Sequence, residues 1–238
     1  VQAEVRQLLE RGLDELALSV SPTQLEQLEQ FTGLLARWAE RIRLTGHRDP
    51  EAITKRLVLD AAALSEALPS FTDLVDLGSG AGFPGIPIAI LRPTRRVLLV
   101  EAREKQHYFQ RAVSRELGLT NMSIQRGRFE EMAPTLHQAV VAQAVAPAAK
   151  VIKWMVRWAS PGAWLILPGG SSPPKPGLLP EIRDVQIRRY SVPLHGPTRT
   201  LWLGRVAVLP SDQRVRAGRS DGGSDDDSVG RRSIACVT

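Results

Sequence analysis

The sequence predicts an α/β fold: a helical N-terminal cap, a mostly parallel sheet with helices between its strands, and a C-terminal antiparallel hairpin. Three observations predict it. Residues 4–68 space their apolar side chains mainly at helical intervals. From Leu74 onward, short apolar runs alternate with amphipathic stretches, the pattern of parallel strands joined by right-handed helical crossovers. The last two apolar runs, 185–192 and 201–209, are separated by a turn around His195, Gly196 and Pro197. That spacing leaves no room for a crossover helix and predicts antiparallel pairing.

The first helix, over 4–18, presents Val5, Leu8, Leu9, Leu13 and Leu16 on one face, and Gly12 weakens it without breaking it. Ser21, Pro22 and Gln24 are the cap, first-turn and N3 residues of a capping box, so a second helix starts there with Leu25, Leu28, Phe31, Leu35 and Trp38 inward. Asp49 and Pro50 open a third helix that runs to about Leu68, where Pro69 stops it. A strand at 74–77 follows, then a glycine-rich loop and a short helix at 85–91 closed by Pro93. Next come a strand at 97–100 ending in Glu101, a helix at 103–117, weaker strands at 123–125 and 139–142, a helix at 148–159 and a strand at 163–167. The connection GGSSPPKPG at 169–177 is no regular element and reads as a plain linker, with a mobile lid as the alternative. The expected organisation is a helical cap over 1–70, a principal domain over 71–210 and a disordered tail over 211–238, where Ser, Gly, Asp and Arg dominate.

With 238 residues, 43% hydrophobic and 24% charged, the chain can bury a sizeable core, which excludes a disulfide-stapled mini-domain. Its formal charge is +6, and the tail, with five Arg and five Asp, contributes none of it. A basic folded body favours polyanionic partners. No apolar run approaches the roughly 20 residues that cross a bilayer, and the first ten residues carry acids where a signal peptide has basic residues. A cytoplasmic protein with no membrane partner is expected. Cys236 is the only cysteine, and His47 has no His or Cys at metal-ligand spacing, so neither an internal disulfide nor a metal site is expected.

The sharpest signal is VDLGSGAGFPGIP at 75–87, which follows a predicted strand and opens a helix, the setting in which glycines let a ligand approach the backbone. Gly80, Gly82 and Gly85 satisfy the dinucleotide spacing G-x-G-x-x-G. Asp76 argues against a dinucleotide, because its carboxylate would sit beside an anionic pyrophosphate. A ligand with a cationic end suits it better, and S-adenosyl-L-methionine has an ammonium, a sulfonium, no phosphate and a ribose diol. Glu101 ends the next strand about 20 residues on, the separation at which a carboxylate accepts ribose hydroxyls. The plainer alternative is that Asp76 and Glu101 only cap strand ends.

The segments DLGSGAGFPGIPIAI, EAREKQHYFQRAVSRELGLTN and GRFEE resemble the small-subunit (16S) ribosomal RNA guanine-N7 methyltransferases, also called the glucose-inhibited division protein B family. LTGHRDP is similar, more loosely, to that family's N-terminal signature, and the resemblance spans roughly residues 20–210. It implies a class I methyltransferase (Rossmann-like) sheet, S-adenosyl-L-methionine as donor, N7 of a guanine as acceptor, and 16S ribosomal RNA or the small ribosomal subunit as partner of a monomer. Position by position, it implies that Gly78 and Phe83 contact the cofactor from the loop, that Glu101 binds the ribose, and that Phe129 and Glu130 bracket the adenine. With Asp76, Gly80, Gly82 and Gln143 these form the candidate cofactor-binding set. Arg48, Lys55, Arg56 and Arg128 are the candidate RNA-binding residues. No catalytic residue is assigned, because N7 of guanine has a free lone pair and needs no general base.

The chain departs from the family pattern on the substrate side. Gln143 stands where the family has an Arg after its fourth strand, Pro168 where it has a Lys ending its fifth, Leu57 in place of a His and Arg43 in place of an Asn. Two readings follow: a methyltransferase acting on 16S ribosomal RNA, or a catalytically weak or inactive RNA- or ribosome-binding relative that keeps the fold. A nicotinamide oxidoreductase is disfavoured by Asp76.

Overall fold

The computed structural model describes residues 2–175 and 179–208, so the tail expected over 211–238 lies outside the described residues. Helix α1 (Gln2–Glu15) lays Val5, Leu9 and Leu13 against α2 (Pro22–Ala39). The capping box forms as the sequence predicts: the Gln24 amide donates to Ser21 Oγ at 3.2 Å, and the Ser21 amide donates to Gln24 Oε1 at 2.8 Å. Gln24 Nε2 also donates to the Ile90 carbonyl, fastening this helix start to the body of the protein.

The third predicted helix is not continuous. Asp49 caps α3 (Pro50–Ile53), a π-helical turn follows at Thr54–Val58, and α4 (Leu59–Ala67) completes the run. Thr54 Oγ1 donates to the Pro50 carbonyl at 2.8 Å, a local bond of the kind that competes with the regular helical ladder. The wider turn re-aims the residues it contains. Leu57 is left half-buried on it while Val58 and Leu59 are fully buried.

Seven strands form one sheet: β1 (Asp73–Leu77), β2 (Arg96–Glu101), β3 (Met122–Arg126), β4 (His137–Val141), β5 (Ala159–Gly169), β6 (Ile182–Ser191) and β7 (Thr198–Val206). Their order is β3-β2-β1-β4-β5-β7-β6. The first five are parallel, whereas β7 runs antiparallel to both β5 and β6. Helices α5 (Gly85–Leu91), α6 (Glu104–Glu116) and α7 (Ala148–Trp158) make the crossovers β1 to β2, β2 to β3 and β4 to β5. Both β5 and β6 start earlier than the sequence predicts, β6 because a register irregularity between Arg183 and Gln186 is absorbed inside the strand.

Successive strand residues face two different cores, as the two-residue period of a strand requires. Leu74, Leu99, Val141, Ile166 and Leu203 join the residues of α1 to α6 in one apolar layer. Val75, Leu77, Val100, Val140 and Leu165 join α7 in the other. Trp158, fully buried at the end of α7, donates its indole N–H to the Phe129 carbonyl at 3.2 Å. Each such aromatic or Leu side chain contributes roughly 1.5–3 kcal/mol by leaving water.

The chain runs from β1 to β2 and β3 on one side, then returns to place β4 on the other side of β1. The loops after β1 and β4 therefore diverge, and the crevice between them, outside the carboxyl ends of the strands, is where an open α/β sheet takes a ligand.

Candidate active site at the carboxyl edge of the sheet

A cleft of about 690 Å³ opens at that switch point. Its walls come from one residue group at the carboxyl end of each of β1 to β4: Gly78 to Ala81 after β1, Glu101 ending β2, Arg128 to Glu130 after β3, and Gln143 to Val145 after β4. Phe83 and Leu57 close the side toward the helices. Seven of the nine residues the sequence singles out for cofactor binding line it: Gly78, Gly80, Phe83, Glu101, Phe129, Glu130 and Gln143.

The loop conformation decides what kind of ligand fits. The amides of Gly78 and Ser79 donate to the Val100 carbonyl, that of Gly80 donates to Glu101 Oε2 at 2.7 Å, and those of Gly82 and Phe83 donate to the Ser79 carbonyl. All five are already engaged within the protein, so the loop offers few of the free N–H groups that cradle a phosphate. Gly80 has φ +57°, and a Cβ there would point into space whose nearest atom is Arg103 Nη2 at 3.7 Å. The loop's backbone is thus open to a ligand at Gly80. From below, Gln110 holds the loop in place: fully buried on α6, it donates Nε2 to both Ser79 Oγ and the Gly80 carbonyl at 2.8 Å. Glu101 also receives the Arg103 amide at 2.8 Å and the Arg103 guanidinium at 3.2 Å, which fixes its carboxylate at the cleft wall.

The structure does not bring Asp76 or Gly82 to the cleft. Asp76 is 1% exposed beneath the loop, where its Oδ2 accepts the Gly85 amide at 2.9 Å. Its Oδ1 is buried without a hydrogen-bond partner among the described residues. Burial holds this carboxyl well above the usual range, against the lowering effect of the Gly85 bond and with a further upward push from Glu101. Asp76 therefore pins the start of α5 from beneath the loop. For Gly82 the obstacle is steric, since a Cβ there would lie 2.2 Å from Ile86 Cδ1, inside the protein.

Residues 24–174 match the family model described as GidB, rRNA small subunit methyltransferase G. The chain belongs to this family. It is 38% identical over 165 residues to the ribosomal RNA small subunit methyltransferase G of Halorhodospira halophila, covering 69% of this chain and 78% of that one. Its identity to the protein of that name in Neisseria meningitidis serogroup B is 30% over 192 residues, covering 80% and 93%. Among solved structures, M. jannaschii TYW2 in complex with AdoMet superposes with a TM-score of 0.52 at 10% identity, covering 72% of this chain and 80% of that one. That likeness shows the class I methyltransferase fold.

Against the family pattern, Gln143 is exposed on the cleft wall, while Pro168 is buried in β5, paired in register with Leu201 and outside the cleft lining. The candidate RNA-binding residues separate. Arg128 lines the cleft and Arg56 lines a small cavity beside it. Lys55 pairs with Glu51 at 3.3 Å. Arg48 lies in a different groove of about 740 Å³, between α1 and α2, together with Glu29, Glu40 and Glu116. That larger groove holds neither the glycine loop nor Glu101, and its acids offset its arginines.

Sequence reasoning missed Asp60. It lies near the start of α4 and is 8% exposed. Tyr190 donates its hydroxyl to Asp60 Oδ1 at 3.1 Å, and Arg199 donates Nε to Oδ2 at 3.1 Å and forms an ion pair with the same oxygen through Nη2 at 3.0 Å. Tyr190 and Arg199 are register partners on β6 and β7. The signal was an acid inside LVLDAAAL, a run with no other polar side chain to accompany it.

Proposed function

We propose that the chain transfers the methyl group of S-adenosyl-L-methionine to N7 of a guanine in 16S ribosomal RNA. The observation that carries this reading is the cleft at the β1–β4 switch, with inward-turned loop amides and Glu101 at its wall, in a chain of the methyltransferase G family. The donor set fits the cofactor. Glu101 would accept the ribose hydroxyls, and Phe129 with Glu130, on the β3 side, would bracket the adenine. The methionine end would then lie toward β1 and β4, between Gly78, Gly80, Phe83 and Gln143. The Gly78 carbonyl receives no hydrogen bond from a described residue and would be available to accept one from the cofactor's ammonium.

When bound, the cofactor supplies a methyl group on a positively charged sulfur, which is left as a neutral thioether when a lone pair takes the methyl. The chain's own contribution is alignment and exclusion of water. Guanine N7 brings its own lone pair, so no residue has to remove a proton, which accords with a cleft containing no His among its lining residues. Arg56 and Arg128 flank the cleft and would meet phosphates of the RNA. The reading includes a monomer acting in the cytoplasm on 16S RNA or the small subunit; no helix among the described residues is long and apolar enough to cross a membrane.

The test is transfer of labelled methyl from S-adenosyl-L-methionine to small ribosomal subunits that lack the modification. Label recovered as 7-methylguanine in 16S RNA supports the reading. Tight binding of the RNA with no transfer would favour the inactive relative.

A further inference from the structure

Beside the main cleft lies a second cavity of about 30 Å³, lined by Arg56, Leu57, Asp60, Leu64, Phe83 and Gln143 together with Ala61. Leu57, Phe83 and Gln143 line both spaces, so the two adjoin. The second is far smaller than the main cleft and suits a small polar group better than a whole purine. Among the described residues Asp60 is the only acid in its lining, and it is held rigidly by Tyr190 and Arg199. A carboxylate offers about four acceptor sites. Arg199 takes one on Oδ2 through Nε and crowds that oxygen with Nη2, and Tyr190 takes one on Oδ1, which leaves Oδ1 with one site. Burial raises the Asp60 carboxyl even with these partners beside it, so Tyr190 and Arg199 do not fully offset its desolvation.

Of the three residues at the junction, Gln143 is polar and exposed, whereas Leu57 and Phe83 are apolar and half-buried. Leu57 sits on the π-helical turn, and Phe83 rests on Phe31 with ring centroids 5.3 Å apart. A flat heterocycle lying between them in the main cleft could push only an edge substituent into the small cavity. That substituent must be a hydrogen-bond donor.

Resting on the methyl-transfer reading above, we propose that Asp60 reads the acceptor base: the 2-amino group of a guanine, held between Leu57 and Phe83, donates to Asp60 Oδ1 in the small cavity. Among the four RNA bases only guanine carries an amino group at that position. The 2-amino group lies at the opposite end of the purine from N7, so a base held by it keeps N7 directed back into the main cleft. Asp60 is then a specificity residue, and Tyr190 and Arg199 are the positioning residues that hold its carboxylate.

The experiment uses the full chain and reconstituted small subunits in which the acceptor guanosine, located by mapping the labelled methyl, is replaced by inosine. Inosine keeps N7 and lacks the 2-amino group. The unaltered protein is expected to lose about tenfold to a hundredfold in kcat/KM on inosine, the range for one hydrogen bond to a charged group. Asp60→Ala should lose a similar factor on guanosine and little more on inosine, because the partner it would have met is already missing. A purely structural Asp60 would instead lower both substrates equally, and that result would overturn the proposal. Equal rates on guanosine and inosine with the unaltered protein would also overturn it, whether or not Asp60→Ala folds. No transfer to guanosine by the unaltered protein would overturn the methyl-transfer reading, and this proposal with it.

Discussion

Glu101 Oε2 accepts the Gly80 amide at 2.7 Å, tying the end of β2 to the loop that follows β1. The acid that would meet the ribose therefore also shapes the glycine loop. Glu101→Ala is expected to weaken S-adenosyl-L-methionine binding by at least about tenfold in titration calorimetry, since it removes both a charged acceptor and a loop restraint. Arg103→Ala, which takes an exposed guanidinium away from the same carboxylate, should leave affinity within a few-fold.

Asp76 is expected to act on stability through pH. Burial raises its folded pKa, so the folded chain keeps a proton that the unfolded chain releases. Its contribution is fully present below the unfolded value of 3.8 and is lost as pH rises toward the folded value. Asp76→Asn imitates the protonated form and should melt above the unaltered chain at pH 8, with the gap closing as pH falls toward 4. A gap of about 1.4 kcal/mol corresponds to one pKa unit. Melting curves between pH 4 and 8 that run parallel would show that Asp76 is ionised in the folded chain.

The glycines of the loop separate by substitution. A Cβ on Gly85 would lie 2.2 Å from Leu99 Cδ2 and 2.9 Å from Asp76 Oδ2. Gly85→Ala should therefore destabilise by about 1–3 kcal/mol in urea titration, the usual cost of overpacking. Gly46→Ala, where a Cβ meets nothing within 4 Å, serves as the neutral control.

Charge reversal should sort the arginines by position. Arg56→Glu with Arg128→Glu is expected to weaken RNA binding and lower the salt slope by about two units, one for each phosphate no longer neutralised. Arg48→Glu, in the groove between α1 and α2, should change neither by a measurable amount. Filter binding across a salt series reads both quantities, and a large effect at Arg48 would move the RNA path onto the helical cap.

Gln143→Arg places a cation on the exposed cleft wall and should raise kcat/KM for methyl transfer by about tenfold, the worth of one ionic hydrogen bond. Pro168→Lys should lower the melting temperature without raising the rate, because position 168 is buried in β5 and lines neither cavity. An increase in rate from Pro168→Lys alone would mean that the side chain reaches the cleft.

Where the fold was legible, one local rule sufficed. The helix at Gly85–Leu91 begins where the glycines end and stops before Pro93, and the box at Ser21 announced α2 by residue type alone. The π-helical turn was hidden because Lys55, Arg56 and Leu57 are ordinary helix formers. Within the site, the acid at Glu101 and the aromatic at Phe129 could be found by their distance along the chain from the glycines. The role of Asp76 could not, since spacing does not tell whether a carboxylate faces the ligand or the underside of its loop. Asp60 was less accessible still, because its partners come from strands that only the completed sheet brings to α4.

The clasp on Asp60 spans 130 residues to Tyr190 and 139 to Arg199. Synthesis proceeds from the N-terminus, so the glycine loop, Glu101 and Phe129 all emerge before either partner exists. During that interval Asp60 on α4 lacks both Tyr190 and Arg199, and β5 has an open edge where β7 will pair. Arrival of the last hairpin closes both vacancies in one event. A chain that stopped at residue 180 would carry every residue assigned to the cofactor, yet it would have neither a finished sheet nor a clasped Asp60.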